Sequence, residues 1–163
     1  PLYSSAASDV YKRQAGDALT LDFGCLYDHY VSDMTRTIYA GHVSDKEIEI
    51  YETVLKANQA LIAAAKDGLG FRDFDKIPRD VIERAGYGQY FTHGIGHGIG
   101  LDIHEEPYFS QMSKEAIQAG MVLTDEPGIY IEGLSGVRIE DDLLITETGC
   151  EVLTLAPKEV IVL

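Results

Sequence analysis

Asp22 and Asp33 sit close together in the chain, in the stretches Asp22-Phe23-Gly24 and Ser32-Asp33-Met34-Thr35-Arg36-Thr37. His97, Glu126 and Glu140 follow, each inside its own dense motif. Four carboxylates and one imidazole form an oxygen-rich donor set. Such sets bind hard or borderline divalent cations, and this many acidic groups suits two ions better than one. The competing reading is plain: Asp is common in turns. Against it, Asp22 ends an apolar strand, where an unpaired carboxylate is costly.

The segment from Thr92 to Pro107 holds His93, His97 and His104, three of the chain's five histidines. His93 and His97 stand at i and i+4, as in helical zinc sites. A helix is nevertheless disfavoured, because Gly94, Gly96, Gly98 and Gly100 would each cost ~1 kcal/mol there. Alternating glycine suits an extended segment that another chain or a substrate approaches closely. A single histidine is more often a satisfied core or surface residue, but this clustering points to an active site. Further on, Glu126 follows the apolar run Met121–Leu123 and precedes Pro127-Gly128, which puts a carboxylate at a strand end beside a forced turn. In Gly136-Val137-Arg138-Ile139-Glu140-Asp141-Asp142, strand alternation places Arg138, Glu140 and Asp142 on one face and Val137, Ile139 and Asp141 on the other. A simple ion pair between Arg138 and Glu140 is the bland alternative for that face.

Composition narrows the function classes. The 163 residues suffice for one domain with a core. A hydrophobic content of 45% excludes a largely disordered chain. The formal net charge of −14 argues against nucleic acid as a partner, since phosphate binding needs clustered Lys and Arg. Much of that acidity is an ordinary solvated surface; part of it would be neutralised by bound cations. Cys25 and Cys150 form no CxxC pair, which disfavours a disulfide scaffold or thiolate zinc site and fits a reducing cytoplasm. No apolar run approaches the ~18 residues that span a bilayer, and no signal peptide is evident. No membrane association is expected.

Several elements must position these residues. Residues 1–14 are small and polar, with no clear period. They read as linker- or adapter-like, non-native sequence or a disordered terminus, and are set aside from the fold. Leu19, Leu21 and Phe23 alternate through Ala18–Phe23 as a strand, with Asp22 pointing away from the apolar face. Leu26–Val31 and Thr35–Tyr39 read as further strands around a turn near Ser32-Asp33. Ser44-Asp45-Lys46-Glu47 is a capping box; a helix carrying Ile48, Tyr51, Val54, Leu55, Leu61 and Ile62 follows and stops at Gly68 and Gly70. A second helix is predicted over Asp75–Ala85, ending at Gly86, and a short one near Ser113–Gln118. Short strands are predicted at Tyr90–Thr92, Met121–Thr124, Gly128–Ile131, Val137–Ile145 and Val160–Leu163. The order implies an α+β domain with helices on one face of a curved sheet.

Together the motifs Asp-x-Gly…Ser-Asp-x-Thr-Arg-Thr, His-Gly-x-Gly-His…His-Glu, Glu-Pro-Gly-x-Tyr and Gly-x-Arg-x-Glu-Asp resemble the "pita-bread" catalytic domain of aminopeptidase P, prolidase and methionine aminopeptidase. The resemblance covers residues 15–163. It implies a curved antiparallel sheet, incomplete at its N-terminal side, and metal-ligand roles for Asp22, Asp33, His97, Glu126 and Glu140. It also implies a proton-shuttling or intermediate-stabilising role for His104, a substrate-side role for His93 and a role just outside the ligands for Arg138. Glu126 is implied to carry a proton toward the leaving nitrogen. Creatinase, a relative working without metal, fits less well.

The resemblance implies hydrolysis of a peptide bond near a peptide N-terminus, in a substrate with proline at the second position. Two divalent ions are expected, Mn²⁺ or Co²⁺ first, with Zn²⁺ or Fe²⁺ as alternatives. Their +4 would balance four carboxylates, of which one unscreened pair at 4 Å costs ~4 kcal/mol at an effective dielectric of 20. Methionine aminopeptidase is the second enzymatic reading, opposed by His93 and Arg138. A catalytically silent relative acting as a binding scaffold is the third. The relatives carry a further histidine and further strands upstream of Asp22, where this chain has residues 1–14. Unpaired edges and exposed apolar surface are therefore expected to favour a homo-oligomer. Asp125 is the other departure: many relatives have an apolar residue there. It should face away from the ligands and affect the metals little.

Overall fold

A computed structural model describes residues 12–109 and 114–163. It opens on a hairpin of β1 (Ala18–Phe23) and β4 (Met34–Tyr39), paired antiparallel with Asp22 opposite Thr35. Between them β2 (Leu26–Tyr27) and β3 (Tyr30–Val31) form a second, tiny hairpin. Its turn places Asp28 and His29 at positive φ, so the predicted strand Leu26–Val31 is split there. Gly24 is required where the chain folds back, since a Cβ there would lie 1.7 Å from the Ser32 carbonyl oxygen.

Helix α1 (Asp45–Ala64) starts with the predicted capping box: Ser44 accepts from the Glu47 amide and the Glu47 side chain accepts from the Ser44 amide. Ile50, Tyr51, Val54, Ala57 and Leu61 form its buried face, and the polar Asn58 is buried with them. The helix ends at Ala65, before the predicted glycine stop. Helix α2 (Phe71–Arg84) begins earlier than expected, at Gly70, and accommodates Pro78 in its interior. Proline favours a first turn, yet Pro78 lies well inside this helix. Gly86, at positive φ, follows the helix end as predicted.

The remaining strands are β5 (His97–Gly98), β6 (Glu105–Tyr108), β7 (Val122–Asp125), β8 (Gly128–Ile131), β9 (Ser135–Arg138), β10 (Asp141–Ile145) and β11 (Cys150–Val152). Among the described residues the largest sheet runs β11-β10-β7-β5-β6, every neighbouring pair antiparallel. Its inner face and the buried sides of α1 and α2 share one hydrophobic core. The alternating glycines allow close approach: a Cβ on Gly96 would meet the Thr124 carbonyl oxygen at 2.2 Å, and one on Gly98 the Glu106 carbonyl oxygen at 2.3 Å.

Four further expectations change. Tyr90–Thr92 is not a strand; a 3₁₀ turn covers Gly88–Tyr90, and the chain then runs irregularly to His97. The segment Lys114–Gln118 is extended rather than helical, because its backbone pairs with Gly68–Phe71 between the helices; Ser113 lies outside the described residues, as do residues 1–11. The strand Val137–Ile145 breaks at Ile139-Glu140, where Glu140 turns to bridge Thr35 instead. Val160–Leu163 makes one parallel bridge, Tyr39 to Val162, and no strand. The apolar face of β1 is open, with Phe23 55% exposed.

The capping box accounts for two otherwise unsatisfied donors at the start of α1. Ser44→Ala should lower the unfolding free energy by about 1 kcal/mol, read as an earlier urea midpoint with unchanged slope. An unmoved midpoint would show that the box contributes nothing.

Candidate metal centre

Five segments deliver the predicted residues. Asp22 lies on β1, and Asp33 immediately precedes β4. His97 opens β5, Glu126 follows β7, and Glu140 occupies the gap between β9 and β10. Asp125 pairs with Asp141 across β7 and β10, so Glu126 and Glu140 emerge next to each other from the same ends. The bridge between Thr35 and Glu140 joins the first hairpin to this edge.

Asp33, His97 and Glu140 each offer one donor atom, and all three atoms lie within 4.8 Å of one another. His97 Nε2 is 3.6 Å from Glu126 Oε1 and 4.0 Å from Asp33 Oδ2. His97 Nδ1 is 3.0 Å from the Gly98 carbonyl, which can only accept. The proton therefore sits on Nδ1, and Nε2 presents a lone pair to the carboxylates, as a ligating imidazole must. Asp22 stands at the rim. Its side chain is half exposed and pairs with Arg138 Nη2. The Arg138–Glu140 ion pair is not what forms: Arg138 takes Asp22, while Glu140 Oε2 accepts from Thr35 Oγ1 at 2.5 Å.

His93, His97, His104, Glu126 and Arg138 line one open cleft of about 390 Å³, with Tyr108 and Phe109 on its wall. The His104 ring stands edge-on to His97, centroids 4.4 Å apart. His93 Nδ1 donates to the Gly94 carbonyl at 2.7 Å, so its Nε2 accepts from the Tyr130 hydroxyl at 2.8 Å. That hydroxyl also accepts from Arg138 Nη1 at 3.2 Å. A continuous chain of bonds thus runs His93–Tyr130–Arg138–Asp22.

The electrostatics show crowding. Burial, then the neighbouring Glu126, pushes the Glu140 carboxyl up to about 8. Burial raises Glu126 to about 7, Asp33 adding to the effect and Arg138 opposing it. Burial and Asp22 raise Asp33. Asp142 is raised to about 6, mainly by burial, and its Oδ1 is buried without a hydrogen-bond partner among the described residues. Burial lowers His97. Arg138 alone does not balance these carboxylates. Oxygen donors with one imidazole, converging and short of positive charge, fit a divalent cation.

Sequence reasoning assigned no role to Thr35, Thr124, Tyr130 or Asp142. Thr35 holds Glu140 and accepts from Arg138 Nε; Thr124 Oγ1 accepts from the His97 amide at 2.9 Å; Asp142 accepts from the Asp33 amide at 3.1 Å. The signal was available. Thr35, Thr124 and Asp142 stand two residues from Asp33, Glu126 and Glu140, and period two returns a strand to the same face.

A family model described as metallopeptidase family M24 matches residues 2–147. The chain is 49% identical over 148 residues to an Xaa-Pro dipeptidase of Pyrococcus furiosus, covering 91% of this chain and 42% of that protein. Among solved structures, an Xaa-Pro dipeptidase from Bacillus anthracis superimposes with a TM-score of 0.90 at 51% identity, covering 92% of this chain and 42% of the other. An X-Pro aminopeptidase from Thermotoga maritima gives 0.89 at 40% identity, with coverages of 92% and 42%. The chain thus spans well under half the length of these relatives.

Glu126 and Glu140 keep protons in the folded protein at pH values where the unfolded chain, at its ordinary 4.5, has lost them. Their contribution to stability is complete below about 4.5 and is lost as pH rises through about 7 and 8. The lowered His93 and His97 act in the opposite sense, below their ordinary 6.5. In chelator, the melting temperature should therefore fall between pH 6.5 and 8.5, by roughly 5 °C or more. Added Mn²⁺ should raise it, and more so at the higher pH, because ligands bind deprotonated. A flat or rising profile in chelator would contradict the crowding.

Proposed function

The chain belongs to metallopeptidase family M24, and from that premise we propose that it is the catalytic part of a dinuclear enzyme cleaving Xaa-Pro bonds near a peptide N-terminus. Asp22, Asp33, His97, Glu126 and Glu140 would hold the two cations, Mn²⁺ or Co²⁺ first and Zn²⁺ or Fe²⁺ as alternatives. The observation that carries this reading is the convergence of Asp33, His97 and Glu140 within 4.8 Å, from segments far apart in the chain. The relatives named as Xaa-Pro dipeptidase and X-Pro aminopeptidase support the substrate class. The free Cys25 and Cys150 agree with a reducing, cytoplasmic setting. The open face of β1 agrees with a homo-oligomer or a further part of the same fold covering it.

When bound, the ions supply neutralising charge, Lewis acidity and an activated water. The chain's own residues do the rest. Glu126 Oε1, which faces His97 and lies 3.4 Å from Thr124 Oγ1, would pass a proton to the leaving nitrogen. His104, at the cleft wall, can donate a hydrogen bond to charge developing on the carbonyl oxygen. The His93–Tyr130–Arg138 chain fixes one side of the cleft. Tyr108 and Phe109 give it an apolar wall that accepts a pyrrolidine ring and asks nothing of the absent prolyl N–H. Methionine aminopeptidase, by contrast, gives no role to the His93–Arg138 connection.

In Mn²⁺-loaded protein, Ala-Pro should raise the melting temperature more than Met-Ala-Ser at equal concentration. The reverse order would favour methionine aminopeptidase. Turnover of Ala-Pro should be weak, because β1 lacks covering strands among the described residues; turnover equal to that of the longer relatives would refute this.

A further inference from the structure

Behind the candidate metal centre, on the opposite face of the same strand ends, lies a second set of charges. Asp125 and Asp141 stand directly opposite each other on β7 and β10, and both are fully buried. Like charges so placed push strands apart. Asn58, itself fully buried on α1, sits between them: its Nδ2 donates to Asp125 Oδ2 at 3.0 Å and to Asp141 Oδ2 at 2.9 Å. Lys158 Nζ donates to Asn58 Oδ1 at 3.0 Å and pairs with Asp141 Oδ2. Arg36 Nη2 pairs with Asp141 Oδ1 at 2.8 Å, and Arg36 Nη1 donates to the carbonyl of Glu140 itself at 2.6 Å.

Each buried aspartate is the chain neighbour of a candidate ligand, Asp125 of Glu126 and Asp141 of Glu140. We infer that Asn58, supported by Lys158, is a positioning residue that clamps the ends of β7 and β10 and so sets the separation of Glu126 and Glu140. This rests on the metal-centre reading above, and it reverses the expectation that Asp125 has little effect on the metals. The clamp works as a unit. One amide group bridges one oxygen of each carboxylate only while the two strand ends keep their present spacing; Asp125 Oδ1 is buried with no hydrogen-bond partner among the described residues. Without that amide, Asp125 loses the donor to its Oδ2 while Asp141 keeps Arg36 and Lys158, so the strand ends must part or admit water.

The test uses this chain with Asn58→Leu, with Lys158→Met, and with Asn58→Leu combined with Asp125→Ile. Two readouts are needed. One is Co²⁺ binding, by titration and by the visible absorption of the bound ion. The other, in metal-free protein, is amide hydrogen exchange at Glu126 and Glu140, whose N–H groups donate to the carbonyls of Ile95 and Thr35. Asn58→Leu should weaken Co²⁺ binding at least tenfold, change its absorption and speed exchange at both amides. The double variant, which removes a carboxylate together with its donor, should recover most of each change. Lys158→Met should move all readouts the same way, about threefold in affinity; it decides the matter if Asn58→Leu does not fold. Ile82→Val, in the α2 core, should lower the melting temperature without moving them. The inference is overturned if the Asn58 and Lys158 variants behave as Ile82→Val does, or if the double variant is no better than the single. Wild-type protein that binds no Co²⁺ would instead overturn the metal reading, and the amide exchange would still report whether the clamp exists.

Discussion

Carboxylates forced together at one edge of a sheet are the constraint around which this molecule is built. Asp33, Glu126 and Glu140 meet beside His97 on one side, and Asp125 and Asp141 oppose each other on the other. Burial strips both groups of water, so neither is stable without positive charge or donors supplied by design. The two sides are answered differently. On the back, Arg36 and Lys158 pair with Asp141, and the Asn58 amide bridges Asp141 to Asp125. On the front, the protein offers Arg138, which is committed to Asp22 at the rim. The front edge is therefore short of positive charge, which fits the cations proposed for it.

The fold serves this contrast. Short strands carry one functional group each to a common line, and the pairing of β7 with β10 aligns two of them. Gly96 lets the His97 segment lie against β7 at backbone distance, which brings the imidazole to the glutamates. Helix α1 contributes apolar packing along most of its buried face and a single amide, Asn58, where the strands end. Rigid packing and placement of charge are thus parts of one structure rather than separate layers.

Much of this was legible beforehand, because the informative patterns were local. The strand at Ala18–Phe23, the capping box at Ser44 and the close backbone approach at Gly96 and Gly98 each have a short-range physical cause, and each is realised. The convergence of Asp33, His97 and Glu140 was expected from motif chemistry and resemblance. Pairwise distances could not be, since they depend on which strands join. The same limit explains the misses. The break at Ile139-Glu140 follows from the bridge to Thr35, and the extended course of Lys114–Gln118 from pairing with the chain between α1 and α2. Asn58 looks like any polar residue in a helix; only tertiary packing reveals two buried carboxylates in front of it.

The claim on which everything rests is that the front carboxylates and His97 form one cage for divalent cations. Anomalous diffraction at the manganese edge, from crystals of this chain grown with Mn²⁺, tests it most directly. Two peaks should appear, bounded by Asp22, Asp33, His97, Glu126 and Glu140, with donor atoms at about 2.0–2.3 Å. Crystals whose only manganese lies elsewhere on the acidic surface, with the carboxylates of Glu126 and Glu140 unliganded, would contradict it.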